Sequence, residues 1–113
     1  MKLIKAYIRY RKTEHVFKAL KNAGFTNITF VECEGTGQYS DQEQEHFSDK
    51  YPFATSFKVI KLEILVPDDR LPKVIEIIRT NGRTGYQGDG MIIVSPVDEV
   101  YKIKNDEMGT NAI

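Results

Sequence analysis

The sequence predicts an α+β domain in which an antiparallel sheet carries two helices on one face. Three observations support this prediction. Several segments have the apolar pattern of strands, two segments repeat apolar residues at helical spacing, and the segments follow one another as β-α-β-β-α-β. At 113 residues, a single domain spanning 1–113 is expected, and it can bury a core without disulfides or metals. Element order and length together predict a ferredoxin-like fold.

In the first half of the chain, one helix is predicted between two strands. Residues 3–10 alternate between polar and apolar and predict the first strand. Thr13 is expected to cap a helix that ends at Gly24, and residues 27–33 predict the second strand. The apolar residues that carry these patterns are Ile4, Ala6, Ile8 and Tyr10 on one face of the first strand, Val16, Phe17, Leu20 and Ala23 at helical spacing, and Ile28 and Phe30 on one face of the second strand.

The second half of the chain repeats the pattern after a long gap. Its predicted elements are a strand at 57–66, a helix started by Pro67-Asp68-Asp69 and ended by Gly82, a strand at 91–94, a short fifth strand at 100–104 and a loose tail at 105–113. The apolar stripe of the second helix is predicted to consist of Leu71, Val74, Ile75, Ile77 and Ile78.

Composition excludes several classes of function. Sixteen Lys and Arg against 16 Asp and Glu give no net charge, which argues against a general nucleic-acid binder. No apolar run approaches the length needed to span a bilayer, and the polar–apolar alternation of residues 1–5 is unlike a signal peptide. The lone Cys33 cannot form an intrachain disulfide, so we expect a cytoplasmic protein.

The segment from Glu34 to Ser56 is longer than a hairpin connection requires. Loops of this length within compact domains usually have a function or are disordered. The segment mixes acidic residues with aromatic ones, whereas purely disordered segments tend to lack aromatics. The acidic residues are Asp41, Glu43, Glu45 and Asp49, and the aromatic ones are Tyr39, Phe47, Tyr51 and Phe53. We expect the segment to become ordered against a partner; a passive insertion is the alternative.

Two glycine-rich stretches are candidates for phosphate binding. Gly35-Thr36-Gly37 follows the second strand, and residues 85–90 precede the fourth. Glycines let backbone N–H groups line an anion-binding concavity, although an ordinary turn or bulge is the alternative for each stretch. Neither matches a P-loop or the dinucleotide fingerprint. In a sheet ordered 4-1-3-2 both lie at one rim, about 14 Å apart, so a shared site needs the long loop to fold back or a second subunit.

Several motifs resemble the PII signal-transduction family nearly end to end. They are M-K-L-I-K-A-Y-I at the start, T-N-I-T-F-V-E-C-E-G-T-G at 26–37, I-I-R-T at 77–80, T-G-Y-Q-G-D-G-M-I-I-V-S-P-V-D-E-V at 84–100 and the final Asn111-Ala112-Ile113. The G-D-G block is the most specific of them. The resemblance implies a homotrimer that binds ATP or ADP in three clefts between subunits and acts without catalysis on a target protein.

The resemblance also implies roles for individual residues. Residues 37–55 would be the T-loop that contacts the target, a membrane transporter or a metabolic enzyme, and residues 102–113 would be the C-terminal loop. Lys102 and Lys104 stand where the family has arginines that reach phosphates from the neighbouring subunit. The other implied nucleotide contacts are Tyr7, Asn27, Ile28, Thr29, Gly35, Thr36, Gly37, Gln38, Leu65, Thr84, Gly88, Asp89, Gly90 and Met91. The residues implied to contact the partner are Tyr39, Phe47, Tyr51 and Phe53.

Departures from the family pattern fall around the terminal phosphates. The family usually has Gly-Phe-Gly-Arg-Gln where this chain has Gly35-Thr36-Gly37-Gln38-Tyr39, and a lysine where it has Met91. Lys58 or Val59 takes the place of the lysine that grips 2-oxoglutarate. Each lost charged hydrogen bond should weaken triphosphate binding by about 1–3 kcal/mol. We therefore expect ADP or ATP to bind, with Mg²⁺ undecided, and the 2-oxoglutarate response to be lost.

Alternative functions stay open at this point. Tyr51 lies near a position that some family members modify, but Asp49-Lys50-Tyr51-Pro52-Phe53 lacks the usual surroundings, so an aromatic packing role is favoured. An orthodox PII protein responding to ATP and 2-oxoglutarate is one alternative. A small phosphate-hydrolysing enzyme on the same fold is another, although His15, His46 and Cys33 form no evident catalytic arrangement. A metal-binding relative would have to gather ligands from several chains.

Overall fold

A computed structural model describes residues 1–35, 58–86 and 88–113. Its four strands are β1 (Lys2–Arg9), β2 (Thr29–Glu34), β3 (Lys58–Val66) and β4 (Ile92–Pro96), and its two helices are α1 (Thr13–Asn22) and α2 (Leu71–Gly82). The strands form one antiparallel sheet in the order β2-β3-β1-β4. This arrangement confirms the predicted ferredoxin-like fold. The predicted T-loop lies outside the described residues.

Alternation along the two central strands places the core on the helix side of the sheet. On β1, Ile4, Ala6 and Ile8 are buried and the residues between them are not. The register pairs Ile4 with Ile64 and Ile8 with Ile60, so the buried rows of β1 and β3 coincide. The full core consists of Ile4, Ala6, Ile8, Val16, Leu20, Phe25, Ile60, Leu62, Ile64, Val66, Val74, Ile77 and Ile78.

The start of α1 differs from the prediction. Tyr10 to Lys12 form a 3₁₀ turn that ends β1 early, so Tyr10 is 59% exposed and not on the covered face. Lys12 occupies the N-cap position, and no side chain caps the helix there. The Thr13 hydroxyl is the predicted cap, but it donates to the Tyr10 carbonyl at 2.8 Å because the preceding turn brings that carbonyl within reach. Gly24 follows the helix in the left-handed region, as a helix stop requires.

The C-terminal segment differs more. Residues 100–104 form no strand; the described chain has one isolated bridge there, between Tyr101 and Met108. The Lys102 N–H donates to the Glu107 carbonyl at 2.9 Å, and the Gly109 N–H donates to the Val100 carbonyl at 2.8 Å. The segment therefore folds back on itself instead of joining the sheet. A 3₁₀ turn follows at Gly109–Ala112, so the predicted loose tail has local structure.

The helices themselves are short. No helix among the described residues combines the length and the apolarity needed to cross a bilayer.

Arg70 joins the two helices at one end of the layer. It lies in the 3₁₀ turn before α2, donates from Nη2 to the Ala23 carbonyl at 2.9 Å, and its Cζ lies 4.0 Å from the centre of the buried Phe25 ring. Arg70→Ala should lower the free energy of unfolding by about 1–3 kcal/mol, because it removes both the cation–π contact and a charged hydrogen bond.

Urea unfolding curves measure this loss, with Lys73→Ala as the matched control. Lys73 is an exposed cation on α2 whose ion pair with Glu76 spans one helical turn at 3.7 Å. Such a pair contributes about 0.3–0.5 kcal/mol, so the control should lose far less stability. Equal losses in the two variants would contradict the role assigned to Arg70.

Candidate functional site

The loop before β4 is organised around the Asp89 carboxylate. Asp89 Oδ1 accepts from Arg9 Nε at 2.9 Å and from the Thr84 hydroxyl at 2.5 Å. Asp89 Oδ2 accepts from the backbone N–H of Thr84 at 2.9 Å and of Gly85 at 3.0 Å. We call Arg9, Thr84, Gly85 and Asp89 the Asp89 cluster. It links both ends of the loop at residues 85–90, which we call the glycine loop, to the end of β1.

The Asp89 cluster changes the acidity of its carboxyl group. Burial acts to raise the pKa of Asp89, but hydrogen bonds from Thr84, Arg9 and the backbone of Thr84 and Gly85 outweigh it. The pKa of Asp89 is therefore held well below its ordinary value. The folded loop favours the ionised carboxylate, since the cluster supplies only donors to it.

The lowered pKa predicts a pH dependence of stability. The pKa of Asp89 is lower in the folded chain than in the unfolded chain, so its contribution is complete above the unfolded value of about 4 and is lost as the pH falls below it. The difference in unfolding free energy between the native chain and Asp89→Asn should be largest near neutral pH and shrink below about pH 4. Urea titrations at several pH values measure it. A difference that does not change with pH would contradict this account.

The glycine loop presses against β1 at Tyr7. A Cβ added to Gly90 would overlap the Tyr7 carbonyl oxygen and lie 2.8 Å from the Tyr7 carbonyl carbon. The Tyr7 N–H donates to the Met91 carbonyl at 3.0 Å, which continues the β1–β4 ladder by one residue. Gly88 has φ +94° and lies close to the Arg9 guanidinium. Two of the three positions 88–90 therefore depend on glycine, one for conformation and one for space.

A cavity of about 380 Å³ opens beside this loop. Its lining includes Tyr7, Arg79, Arg83, Asp89, Gly90 and Met91. Arg79 lies in the last turn of α2 and Arg83 just after it, and both are exposed. The size falls within the range of small-molecule sites, and two guanidinium groups at its edge suit an anionic ligand.

The second predicted glycine stretch begins at the same rim. A Cβ on Gly35 would lie 3.6 Å from Val59, and Val59 pairs in register with Arg9 of the Asp89 cluster. Gly35 and the glycine loop thus lie at the same rim of the sheet, linked through the ends of β3 and β1, as the predicted strand order implies. Thr36, Gly37 and Gln38 lie outside the described residues, as do the predicted partner contacts Tyr39, Phe47, Tyr51 and Phe53.

Other predicted contacts lie elsewhere on the chain. Leu65 pairs with Leu3, whereas Tyr7 pairs with Lys61, so Leu65 lies four strand positions, or about 13 Å, from Tyr7. Thr29 pairs with Glu63 and begins β2 beside this end of β3, next to Ile28 and Asn27. Asn27, Ile28, Thr29 and Leu65 thus form a second group. A single chain does not bring this group to the glycine loop.

The two predicted lysines lie in the C-terminal segment. Both are exposed, and the Lys102 ammonium lies 3.9 Å from a Glu107 carboxylate oxygen. No ion pair involves Lys104 within the described chain, and no group of three or more potential metal ligands occurs in residues 1–35, 58–86 and 88–113. The two lysines can therefore meet an anion from outside the chain with little rearrangement.

Sequence reasoning missed the arginines of the site. Arg9 occupies an ordinary alternating position on β1, and its partner Asp89 is 80 residues away, so no local pattern links them. Arg79 and Arg83 resemble the usual cations at the end of a helix. Their four-residue spacing places them on one face, and this is the signal that could have identified them.

A family model and individual known proteins match this chain under the same description. The sequence model of the family described as nitrogen regulatory protein P-II matches residues 1–107. Nitrogen regulatory proteins P-II from Nostoc punctiforme and from Synechocystis are each 36% identical to this chain over 113 residues, covering all of both chains. The protein of the same name from Rhizobium meliloti is 37% identical over the same full length.

Proposed function

The chain belongs to the nitrogen regulatory protein P-II family, whose members are signalling regulators, and from this membership we propose that it senses adenine nucleotides. The ligand is ADP or ATP, and the bound nucleotide determines how residues 37–55 present themselves to a target protein. The glycine loop is the observation that supports this most. The Asp89 cluster and the close approach of Gly90 to Tyr7 hold the loop beside a cavity lined by Arg79 and Arg83.

The separation of the predicted contacts favours a site between subunits. Tyr7 and the glycine loop lie at one place on the sheet, whereas Leu65 lies about 13 Å away along the strands and Thr29 lies two strands across, on β2. A neighbouring copy can bring its second group to the first, and a closed ring of three copies would form three such sites. The sheet face opposite the helices carries Val31 and Ile93, which are 42% and 40% exposed and could pack against that copy.

The site favours binding of a diphosphate over a response that depends on the third phosphate. Lys102 and Lys104 are exposed and remain available for the α- and β-phosphates. Met91 continues the ladder with β1 where a lysine would be needed near the terminal phosphate. With the departures at 35–39, this predicts that 2-oxoglutarate does not promote nucleotide binding.

We expect the double variant Lys102→Ala, Lys104→Ala to weaken ADP binding about tenfold or more, because two charged hydrogen bonds are lost. Isothermal titration measures the dissociation constant, and Lys21→Ala, Lys73→Ala is the control that removes the same charge elsewhere. Unchanged ADP affinity in the Lys102 and Lys104 variant would show that these lysines do not contact the nucleotide. A rise in ATP affinity on adding 2-oxoglutarate would contradict the lost response and favour an orthodox PII protein.

Regulation of a target through residues 37–55 is tested separately. The intact chain and a variant lacking residues 40–54 are used as bait, with and without ADP. The proposal predicts a protein retained only by the intact chain and in a nucleotide-dependent manner; a transporter or a metabolic enzyme would fit. Equal retention by both baits would contradict the role of the loop. The proposal is for a regulator and not an enzyme, so ADP and ATP should be recovered unhydrolysed.

A further inference from the structure

A second cavity lies on the other side of Arg83. It measures about 280 Å³ and is lined by Arg11, Lys12, His15, Arg83 and Thr84. We call it the basic cavity. Arg11 and Lys12 come from the turn that follows β1, His15 from the first turn of α1, and Arg83 and Thr84 from the segment after α2. Two separate parts of the chain, residues 11–15 and 83–84, therefore bring cationic or polar side chains to one concavity.

The positive charge of the basic cavity is not balanced within the described chain. None of Arg11, Lys12, His15 and Arg83 forms an ion pair among the described residues. The two nearest acids along the chain are engaged elsewhere. Glu14 binds Lys18 at 2.8 Å, and Asp89 binds Arg9 at 2.9 Å. Three permanent cations facing a small concavity repel one another unless an anion is present.

The backbone adds to this potential. The basic cavity adjoins the N-terminal turn of α1, a helix of ten residues whose N-cap residue Lys12 makes no capping hydrogen bond through its side chain. The first N–H groups of a helix lack internal partners and carry the positive end of its dipole. In α1 the first of these groups, the Thr13 N–H, is bonded to the Tyr10 carbonyl of the preceding 3₁₀ turn, so the backbone contributes through the helix dipole. Side chains and backbone thus favour the same sign of ligand.

We propose that the basic cavity binds a small multivalent anion carrying phosphate groups, at a site separate from the nucleotide cleft. The volume has room for an anion with one or two phosphate groups, and arginine forks suit tetrahedral oxyanions. The Thr84 hydroxyl already donates to Asp89, so the cations supply the donors. Arg11, Lys12 and His15 belong neither to the cavity beside the glycine loop nor to the expected nucleotide contacts.

Pyrophosphate titrated into the full chain at constant ionic strength tests the proposal. The test variant is Arg11→Gln, Lys12→Gln, and the control Lys21→Gln, Lys73→Gln removes two cations from exposed helix positions elsewhere. Thermal melting of each variant establishes that it is folded. We expect the test variant to raise the dissociation constant about tenfold or more and the control to change it less than about twofold.

A parallel titration in saturating ADP separates the two anion sites. The proposal predicts that pyrophosphate still binds once per chain and that Lys102→Ala, Lys104→Ala leaves this binding intact. It is overturned if ADP or those two substitutions abolish pyrophosphate binding while Arg11→Gln, Lys12→Gln does not affect it, since the nucleotide cleft would then hold the anion. It is also overturned if the unmodified chain binds no pyrophosphate. The last result does not require ADP binding, so failure of this proposal can be distinguished from failure of the proposed nucleotide sensing.

Discussion

Replacing Gly90 by alanine should lower the free energy of unfolding by about 2–4 kcal/mol and abolish ADP binding. The added methyl group would lie against the Tyr7 carbonyl oxygen and 2.8 Å from the carbonyl carbon. Both are backbone atoms of a central strand whose neighbours Ala6 and Ile8 are buried, so β1 cannot yield. The loop must move instead, which breaks the 3.0 Å bond from the Tyr7 N–H to the Met91 carbonyl.

Gly82→Ala is the matched control for this substitution. A Cβ at Gly82 would lie 3.5 Å from Ile8 and 3.6 Å from Val16, which are ordinary contacts. Gly82 ends α2, so alanine should leave stability unchanged or raise it by up to about 1 kcal/mol. Urea unfolding and ADP titration of both variants make the comparison. A Gly90→Ala chain as stable as Gly82→Ala would show that the loop does not need its close approach to Tyr7.

Asp89→Ala should have the second large effect, a loss of about 2–4 kcal/mol in unfolding free energy with a strong loss of ADP affinity. Alanine removes the acceptor of two backbone N–H groups and of the Arg9 guanidinium, whose side chain is only 20% exposed. A largely buried cation that loses its Asp89 contact, together with two freed backbone donors, destabilises the folded loop more than the loss of a surface ion pair would.

A double-mutant cycle with Arg9 separates the pair from the rest of the cluster. If Arg9 acts through Asp89, the double variant Arg9→Ala, Asp89→Ala should lose clearly less stability than the sum of the single losses, by about 1 kcal/mol or more. Asp98→Ala is the control, because Asp98 is an exposed acid of the same half of the chain. Strict additivity would contradict the proposed coupling between β1 and the glycine loop.

The central strands were predictable because one face of the sheet is buried and the other is not. Ile4, Ala6 and Ile8 appear in the sequence as the apolar half of an alternation, and the structure buries those three residues. Prediction failed where a short-range hydrogen bond competed with the pattern. The turn at Tyr10 to Lys12 ends β1 before Tyr10, and the Thr13 hydroxyl donates to the Tyr10 carbonyl instead of capping α1. The hydrogen bond from the Lys102 N–H to the Glu107 carbonyl folds the C-terminal segment back on itself, so the predicted fifth strand does not form.

The site was predictable only in part. The closely spaced glycines at 85–90 indicated a backbone that needs space or unusual dihedral angles, and Gly88 and Gly90 meet those needs. The partner of Asp89 could not be predicted, because Arg9 lies 80 residues away and reaches the carboxylate only through the β1–β4 register. The basic cavity could likewise not be predicted from a sequence without net charge, since its cations come from two segments about 70 residues apart, 11–15 and 83–84.

Isothermal titration of ADP into the intact purified chain tests the proposed nucleotide sensing most directly. We expect saturable binding of one ADP per chain. The double variant Lys102→Ala, Lys104→Ala should weaken this binding about tenfold or more, and Gly90→Ala should abolish it. The same titration with ATP in place of ADP completes the measurement. If a folded, unmodified chain showed no saturable binding of either nucleotide, the proposal that this regulator senses adenine nucleotides would be contradicted.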